Sequence, residues 1–345
     1  MITAYDPFNF LSIIDKEHIK SSDPVARFNF LPRFQPGLDA FDLPWLAWDG
    51  EVILDHNIFW KTQRKPTAIF ATHIPSIPDP LPIPRIFYPH HFLKTIKTNQ
   101  KLGRIRPISD NKNRPFLADM LFGQPRYHRW IFLEYAKSHG LIDRCLVNFM
   151  DGKFEKMDRI RNVAAGWPNF SKPATFRSPA LSDYDEQPIN DFISANQNDE
   201  FDSITVLPEY GEWTSQILPN KIYDASYVSI VTETATDEGV FLTEKTAKPL
   251  LAGRIFIGIG QQGFLREIRK LGFATFGDLF DESYDDYPLI HERILKAVEL
   301  LSELSRTDMD ALYEKARPML YHNQQLMLSG HLTARAHGFI EGLAA

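Results

Sequence analysis

Apolar and polar positions follow two rhythms along this chain, and they are clearest from Tyr227 to Gly260. Tyr227 to Val231 is β-branched and aromatic, the composition of a strand, and Arg254 to Gly260 is a second apolar run ending on glycine. Between them Thr243 stands where a helix caps, followed by Glu244, Lys245 and the apolar positions Ala247, Leu250 and Leu251. Two strands joined through one helix predict a parallel βαβ unit. Ligands of such sheets collect beyond the carboxyl ends of the strands, where helix amides and the partial positive charge of the helix start face the crevice. Lys245 adds a full charge, so the unit predicts a pocket for a phosphate-bearing ligand. The same pair also reads as ordinary solvated first-turn residues, and spacing leaves both readings open.

The patterning elsewhere is coarser. Residues 66–74 read as a strand, and residues 44–57 as an aromatic turn followed by a short strand. Six prolines between Ile74 and Pro89 exclude helix and central strand, leaving an extended connection. Phe116 to Gly123 leads into a turn, Tyr127 to Gly140 reads as a helix ending on glycine, and Cys145 to Met150 as a strand. Residues 150–220 are polar and irregular, an interdomain region. Gly263 to Gly272 is a short amphipathic helix, Phe273 to Ser283 a strand and turn, and Leu289 to Leu304 a longer helix. From Thr307 the tail reads as helical, with Asp308 and Asp310 in its first turn.

At 345 residues the chain has room for two domains. Its 43% hydrophobic and 13% aromatic content describes a globular protein and excludes a disordered one. No apolar run of membrane-spanning length and no basic-then-apolar leader appears, so the expected location is cytoplasmic. Cys145, the single cysteine, reads as a buried strand residue. The first 170 residues hold 23 Lys+Arg against 17 Asp+Glu, and the remainder 15 against 27, so the two halves differ in sign. Lys94, Lys97, Lys101, Arg104, Arg106, Lys112 and Arg114 form a cationic run interrupted only by Asp110. Such a run reads as a solvated loop or as a contact to phosphates, the acceptor side of a reaction on an anionic partner.

The order Tyr227, Ser229, Glu233, a polar loop, Phe241 to Lys245, and a strand ending Gly258-Ile259-Gly260 resembles the donor-binding region of α-1,3-fucosyltransferases. Arg114 to Leu117, Gly123 to Arg126 and the helix after them are similar to that family's strand, turn and arginine-bearing helix. The stretch from Leu271 to Asp286 resembles a wider group of viral and bacterial glycosyltransferase-like proteins. The resemblance implies an α/β, GT-B-like fold of two Rossmann-like domains facing a cleft, with a helical C-terminal tail. Residues 1–110 would be the acceptor-side domain, 111–310 the nucleotide-sugar domain, and 311–345 a helix packing back on the first domain. It further implies a nucleotide-diphosphate sugar as donor and no required cofactor.

Glycosyl transfer needs a hold on the diphosphate, a hold on the nucleoside and a base for the acceptor hydroxyl. Lys245 offsets leaving-group charge, and the resemblance gives Glu244 the ribose hydroxyls and Glu233 a supporting place at the strand end. Arg126 or Arg129 supplies a second positive contact, Thr243 caps the helix, and Lys248 lies one turn on, where it also reads as a solvating side chain. Candidate bases are Glu51, Asp55 and Asp119, with His73 and the pair His90-His91 as weaker histidine alternatives. The acidic stretch Asp281 to Asp286 reads as a helix-capping loop, and no metal is expected. The acceptor is a glycan or a hydroxymethylated DNA base. The competing reading is a nucleotide- or nucleic-acid-binding module that kept the pocket without turnover.

Overall fold

The computed structural model describes residues 2–5, 28–31, 45–49, 68–71, 73–74, 85–87, 90–123, 126–149, 176–184, 206–207, 212–234, 236, 240–332 and 334. The first sheet is built from β1 (Ile2–Tyr5), β2 (Phe28–Leu31), β3 (Trp45–Asp49), β4 (Ala68–Ala71) and β6 (Arg85–Phe87). Its order is β2-β1-β3-β4-β6 and every pairing is parallel. A short β5 (His73–Ile74) lies outside it.

The second sheet carries the sequence grammar read above. Its strands are β7 (Phe116–Phe122), β8 (Cys145–Phe149), β9 (Phe176–Arg177), β12 (Ser226–Thr232) and β14 (Ile255–Ile259), in the order β14-β12-β7-β8-β9. All pairings are parallel except β8 with β9. Every residue of β12 and β14 is buried, as parallel strands covered on both faces require. Between them runs the expected helix, α4 (Glu244–Ala252). Thr243 Oγ1 caps it by accepting from Lys245 N, and Gly253 ends it at φ 62°, a left-handed conformation that favours glycine. Gly258 and Gly260 lie beneath the Phe264 ring, where an added Cβ would come within 2.4 and 2.5 Å of ring carbons. The strand end is glycine because an aromatic ring occupies the space.

Helices α1 (His90–Lys101), α2 (Tyr127–Ser138), α3 (Asn220–Ala225), α5 (Phe264–Lys270), α6 (Ile290–Leu304) and α7 (Met309–Leu328) surround this sheet. Phe92 and Ile96 of α1 belong to the same apolar core as Val228, Ile257, Leu301 and Leu320. Residues 90–110, assigned from sequence to the first domain, therefore pack on the second sheet. The closing helix α7 packs on α4 and contributes Leu312, Ala316 and Leu320 to that core. Asp308 caps it, accepting from Ala311 N at 3.0 Å. Phe273 to Ser283 is not a strand: it runs as turns that bury Phe273 and Phe276, with Phe276 edge-on to Phe256. Two further ribbons pair β10 (Val206–Leu207) with β11 (Glu212–Trp213) and β13 (Val240–Phe241) with β5.

Candidate functional site

Strand order reverses between β7 and β12: the chain leaves β7 through α2 to β8 on one side, and leaves β12 through α4 to β14 on the other. A crevice opens at such a switch point, beyond the carboxyl ends of the two strands. Arg126, His128 and Arg129 stand there after β7, and Glu233 stands there after β12. The loop from Glu233 returns through β13 to Thr243 and the start of α4, so Arg126, Arg129, Glu233, Thr243, Glu244 and Lys245, all singled out from sequence, meet in one place.

Glu233 organises it. Its fully buried carboxylate accepts from Thr243 N at 2.9 Å, from Thr243 Oγ1 at 2.6 Å and from Thr246 Oγ1. An internal carboxyl group thus already occupies the start of α4, and Lys245 N donates to Thr243 Oγ1 at 3.3 Å. That corrects the expected picture, in which helix amides receive the ligand: positive side chains are what the crevice offers instead. Burial raises the Glu233 carboxyl above its ordinary range, with Lys245 opposing. His128 Nε2 lies 2.8 Å from the Glu233 carbonyl oxygen. Burial, reinforced by Arg129, lowers this imidazole to about 3, so it is neutral and Nε2 carries the proton donated to that carbonyl. Arg129 donates to Thr232 Oγ1 at 3.0 Å and to its carbonyl at 3.1 Å. Burial lowers its guanidinium to about 10, Arg126 adding to the fall and Glu233 and Glu244 opposing it.

Lys245 Nζ reaches Glu244 Oε1 at 2.6 Å and Thr234 Oγ1 at 3.2 Å, and its side chain keeps 24% of its surface. Glu244 Oε2 is 3.8 Å from Nδ1 of His91, whose ring meets Phe241 edge-on. Burial alone would raise the Glu244 carboxyl, but Lys245, His91 and Lys248 together hold it at about 2. Burial lowers His91 to about 4, Glu244 opposing. Lys248 is half-buried and also lowered by burial, with Glu244 pulling the other way. Arg126 is exposed at the mouth.

The remaining predicted residues fall elsewhere. Asp119 is mid-strand in β7, where it accepts from Arg254 at 3.1 Å and from Ser226 and Ser229 at 2.9 Å. A fully buried carboxylate so engaged faces no acceptor, which corrects its place among the bases. Glu51 and Asp55 lie outside the described residues, and so do the side chains of His73 and His90. The cationic run is not one solvated loop. Lys94 and Arg104 are buried, Arg104 donating to the Leu218 carbonyl at 2.9 Å, while Lys97, Lys101 and Arg106 are exposed. Carboxylates of the acidic stretch serve the fold: Glu282 accepts from Thr275 and Phe276 N, and Asp285 accepts from Leu265 N at the start of α5. Among the described residues no group of three or more His, Cys, Asp or Glu could hold a metal ion. Cys145 is buried in β8, its thiol pushed up by burial to about 12. No helix among the described residues is long and apolar enough to cross a membrane.

No protein-family profile, curated protein or solved structure matches the chain. The likeness to fucosyltransferases therefore stands on the residues quoted for it. Sequence reasoning missed one member of the site, His128, which was signalled by its position between Arg126 and Arg129. His91 was weighed only as a weaker candidate base, and its approach to Glu244, 153 residues away, had no local signal.

Proposed function

We propose that the crevice beyond β7 and β12 binds the diphosphate of a nucleotide sugar, and that the protein is a GT-B-like glycosyltransferase acting on a hydroxyl acceptor. One observation carries this reading: at the switch point of a parallel sheet, Arg126, Arg129, Lys245 and Lys248 stand around two carboxyl groups, Glu233 and Glu244, among the described residues. Such a surplus suits a ligand of two or more negative charges, and anions are favoured where the sheet opens. Lys245 would exchange its contact with Glu244 for the departing pyrophosphate, leaving Glu244 free to accept from ribose hydroxyls. Cationic side chains would supply the charge that a metal supplies in other transferases, so transfer would proceed without one. A glycan is favoured as acceptor over a hydroxymethylated DNA base, because three of the seven cations that suggested a phosphate surface, Lys94, Arg104 and Arg114, are buried.

The test is incubation with a panel of nucleotide sugars, reading release of nucleoside diphosphate. A charge-assisted contact contributes about 1.5–3 kcal/mol, so Lys245→Ala is expected to slow release roughly 10- to 100-fold while remaining folded. A folded Lys245→Ala protein that hydrolyses donor at the parent rate would overturn the phosphate role. The second reading, a nucleotide-binding module without turnover, is favoured by the burial of Asp119 away from the crevice. It predicts donor binding with no release for any sugar in the panel.

A further inference from the structure

At the opposite edge of the second sheet, before the amino ends of β7, β12 and β14, lies a cavity of about 300 Å³. It is distinct from the crevice of Glu233 and Lys245, and nothing argued about it depends on the donor reading. Arg114 and Arg254 line it, and both are buried, at 6% and 2% exposure. Their Nη1 atoms converge on the same two acceptors, the carbonyls of Tyr223 and Ser226: Arg114 at 2.6 and 2.9 Å, and Arg254 at 2.6 Å from Ser226 with a short contact to Tyr223. Aromatic rings lie against both planes, Tyr313 at 4.4 Å from Arg114 and Tyr223 at 4.8 Å from Arg254.

The charges do not balance. Arg254 has the buried Asp119 at 3.1 Å. Among the described residues Arg114 has no ion pair of its own, and its buried Nη2 meets no hydrogen-bond acceptor. Carboxylates near the mouth have other partners, although Asp224 also acts on Arg114 through space. Asp224 pairs with Arg106 at 3.4 Å, Asp110 with Arg317 at 2.6 Å, and Asp310 accepts from Tyr227 Oη at 2.6 Å and from Asn113 N. Burial and the neighbouring Arg254 lower the Arg114 guanidinium, with Tyr313 and Asp224 opposing. As a mere hook for two carbonyls Arg114 would duplicate Arg254 and leave a desolvated donor without an acceptor, which is unfavourable.

We propose that this cavity binds a small phosphate-bearing anion, seated against Arg114 with Arg106 closing from the rim. A guanidinium presents planar, forked donors that match a tetrahedral oxyanion, and a cavity of this size accepts a compact ligand rather than a polymer.

Calorimetric titration of the full chain with inorganic phosphate at constant ionic strength tests this, with acetate as a parallel arm. One saturable site is expected for phosphate and none of similar strength for acetate. Asn111→Glu places a carboxylate at the mouth from an exposed position whose only contact to Arg114 is through its backbone carbonyl. It should weaken phosphate about tenfold or more, as like charges do at a binding surface. Arg106→Ala should weaken it as well, and Lys245→Ala should leave it unchanged. Arg114→Lys should abolish it, and if that variant does not fold, Asn111→Glu decides. The proposal is overturned by absence of saturable binding, by an Asn111→Glu protein that binds like the parent, or by loss of binding in Lys245→Ala. Equal binding of acetate would overturn the assignment to phosphate.

Discussion

His128 shows how burial sets a protonation state. The imidazole donates to the Glu233 carbonyl, and its burial holds it neutral down to about pH 3, against an ordinary value of 6.5. In the unfolded chain the same imidazole takes a proton as pH falls through 6.5. Between those values the unfolded state binds more protons, so stability falls as pH falls, beginning well above the carboxylate range. His91, lowered to about 4, acts in the same sense, while Asp285, raised to about 6, acts in the opposite one. Replacing His128 by Gln keeps an amide donor for the carbonyl and removes the titration. His128→Gln is expected to lose less melting temperature than the parent between pH 7 and 4. Thermal melts at matched ionic strength would show it, and parallel pH curves would refute the assignment.

At the scale of elements, α5 and β14 are joined by a packing constraint that can be tested directly. An added methyl at Gly258 would meet the Phe264 ring at 2.4 Å, with Leu265 close behind at 3.5 Å. Overpacking of this kind costs about 1–3 kcal/mol. Gly258→Ala is expected to lower the denaturation midpoint accordingly, with an unchanged denaturant slope, whereas an unaltered midpoint would mean that the ring moves freely. The βαβ unit around these glycines was legible because strand composition, the Thr243 cap and helical spacing all agree over a short span. Helix α1 was not. Its inner face buries Thr95, Thr98 and Asn99 beside Phe92 and Ile96, and two of these polar residues, Thr95 and Asn99, are satisfied at a distance. Asn99 donates to the Gln216 carbonyl at 2.9 Å and accepts from Leu218 N, and Thr95 donates to the Gln216 side chain. Partners more than a hundred residues away leave no local trace, so the lysines alone shaped the reading of that stretch. The segment after Phe273 was misread for a related reason: Phe273 and Phe276 are buried by turns, and apolar residues at short spacing look the same in a turn as in a strand. Of the candidate site, the residues adjoining α4 were legible, whereas the role of Glu233 as an internal cap was not, because it depends on how its loop returns.

For the molecule as a whole, the cationic run from Lys94 to Arg114 does not form one continuous phosphate-binding face among the described residues. Of the seven cations from Lys94 to Arg114, Lys97, Lys101, Arg106 and Lys112 are exposed, and Arg106 is paired with Asp224. Four contacts would give a slope of log affinity against log salt no steeper than about −3.6 for duplex DNA. With a glycan as acceptor, duplex oligonucleotides are expected to bind weakly and within that limit. A markedly steeper slope, measured by fluorescence anisotropy across a salt series, would move the acceptor assignment to DNA.

Helix α4 begins beside Lys245 and ends at Ala252 and Gly253, where Ala252 borders the cavity of Arg114. Its nine residues span about 13 Å, so one short helix touches both places at its two ends. A tilt of that helix would move both linings together.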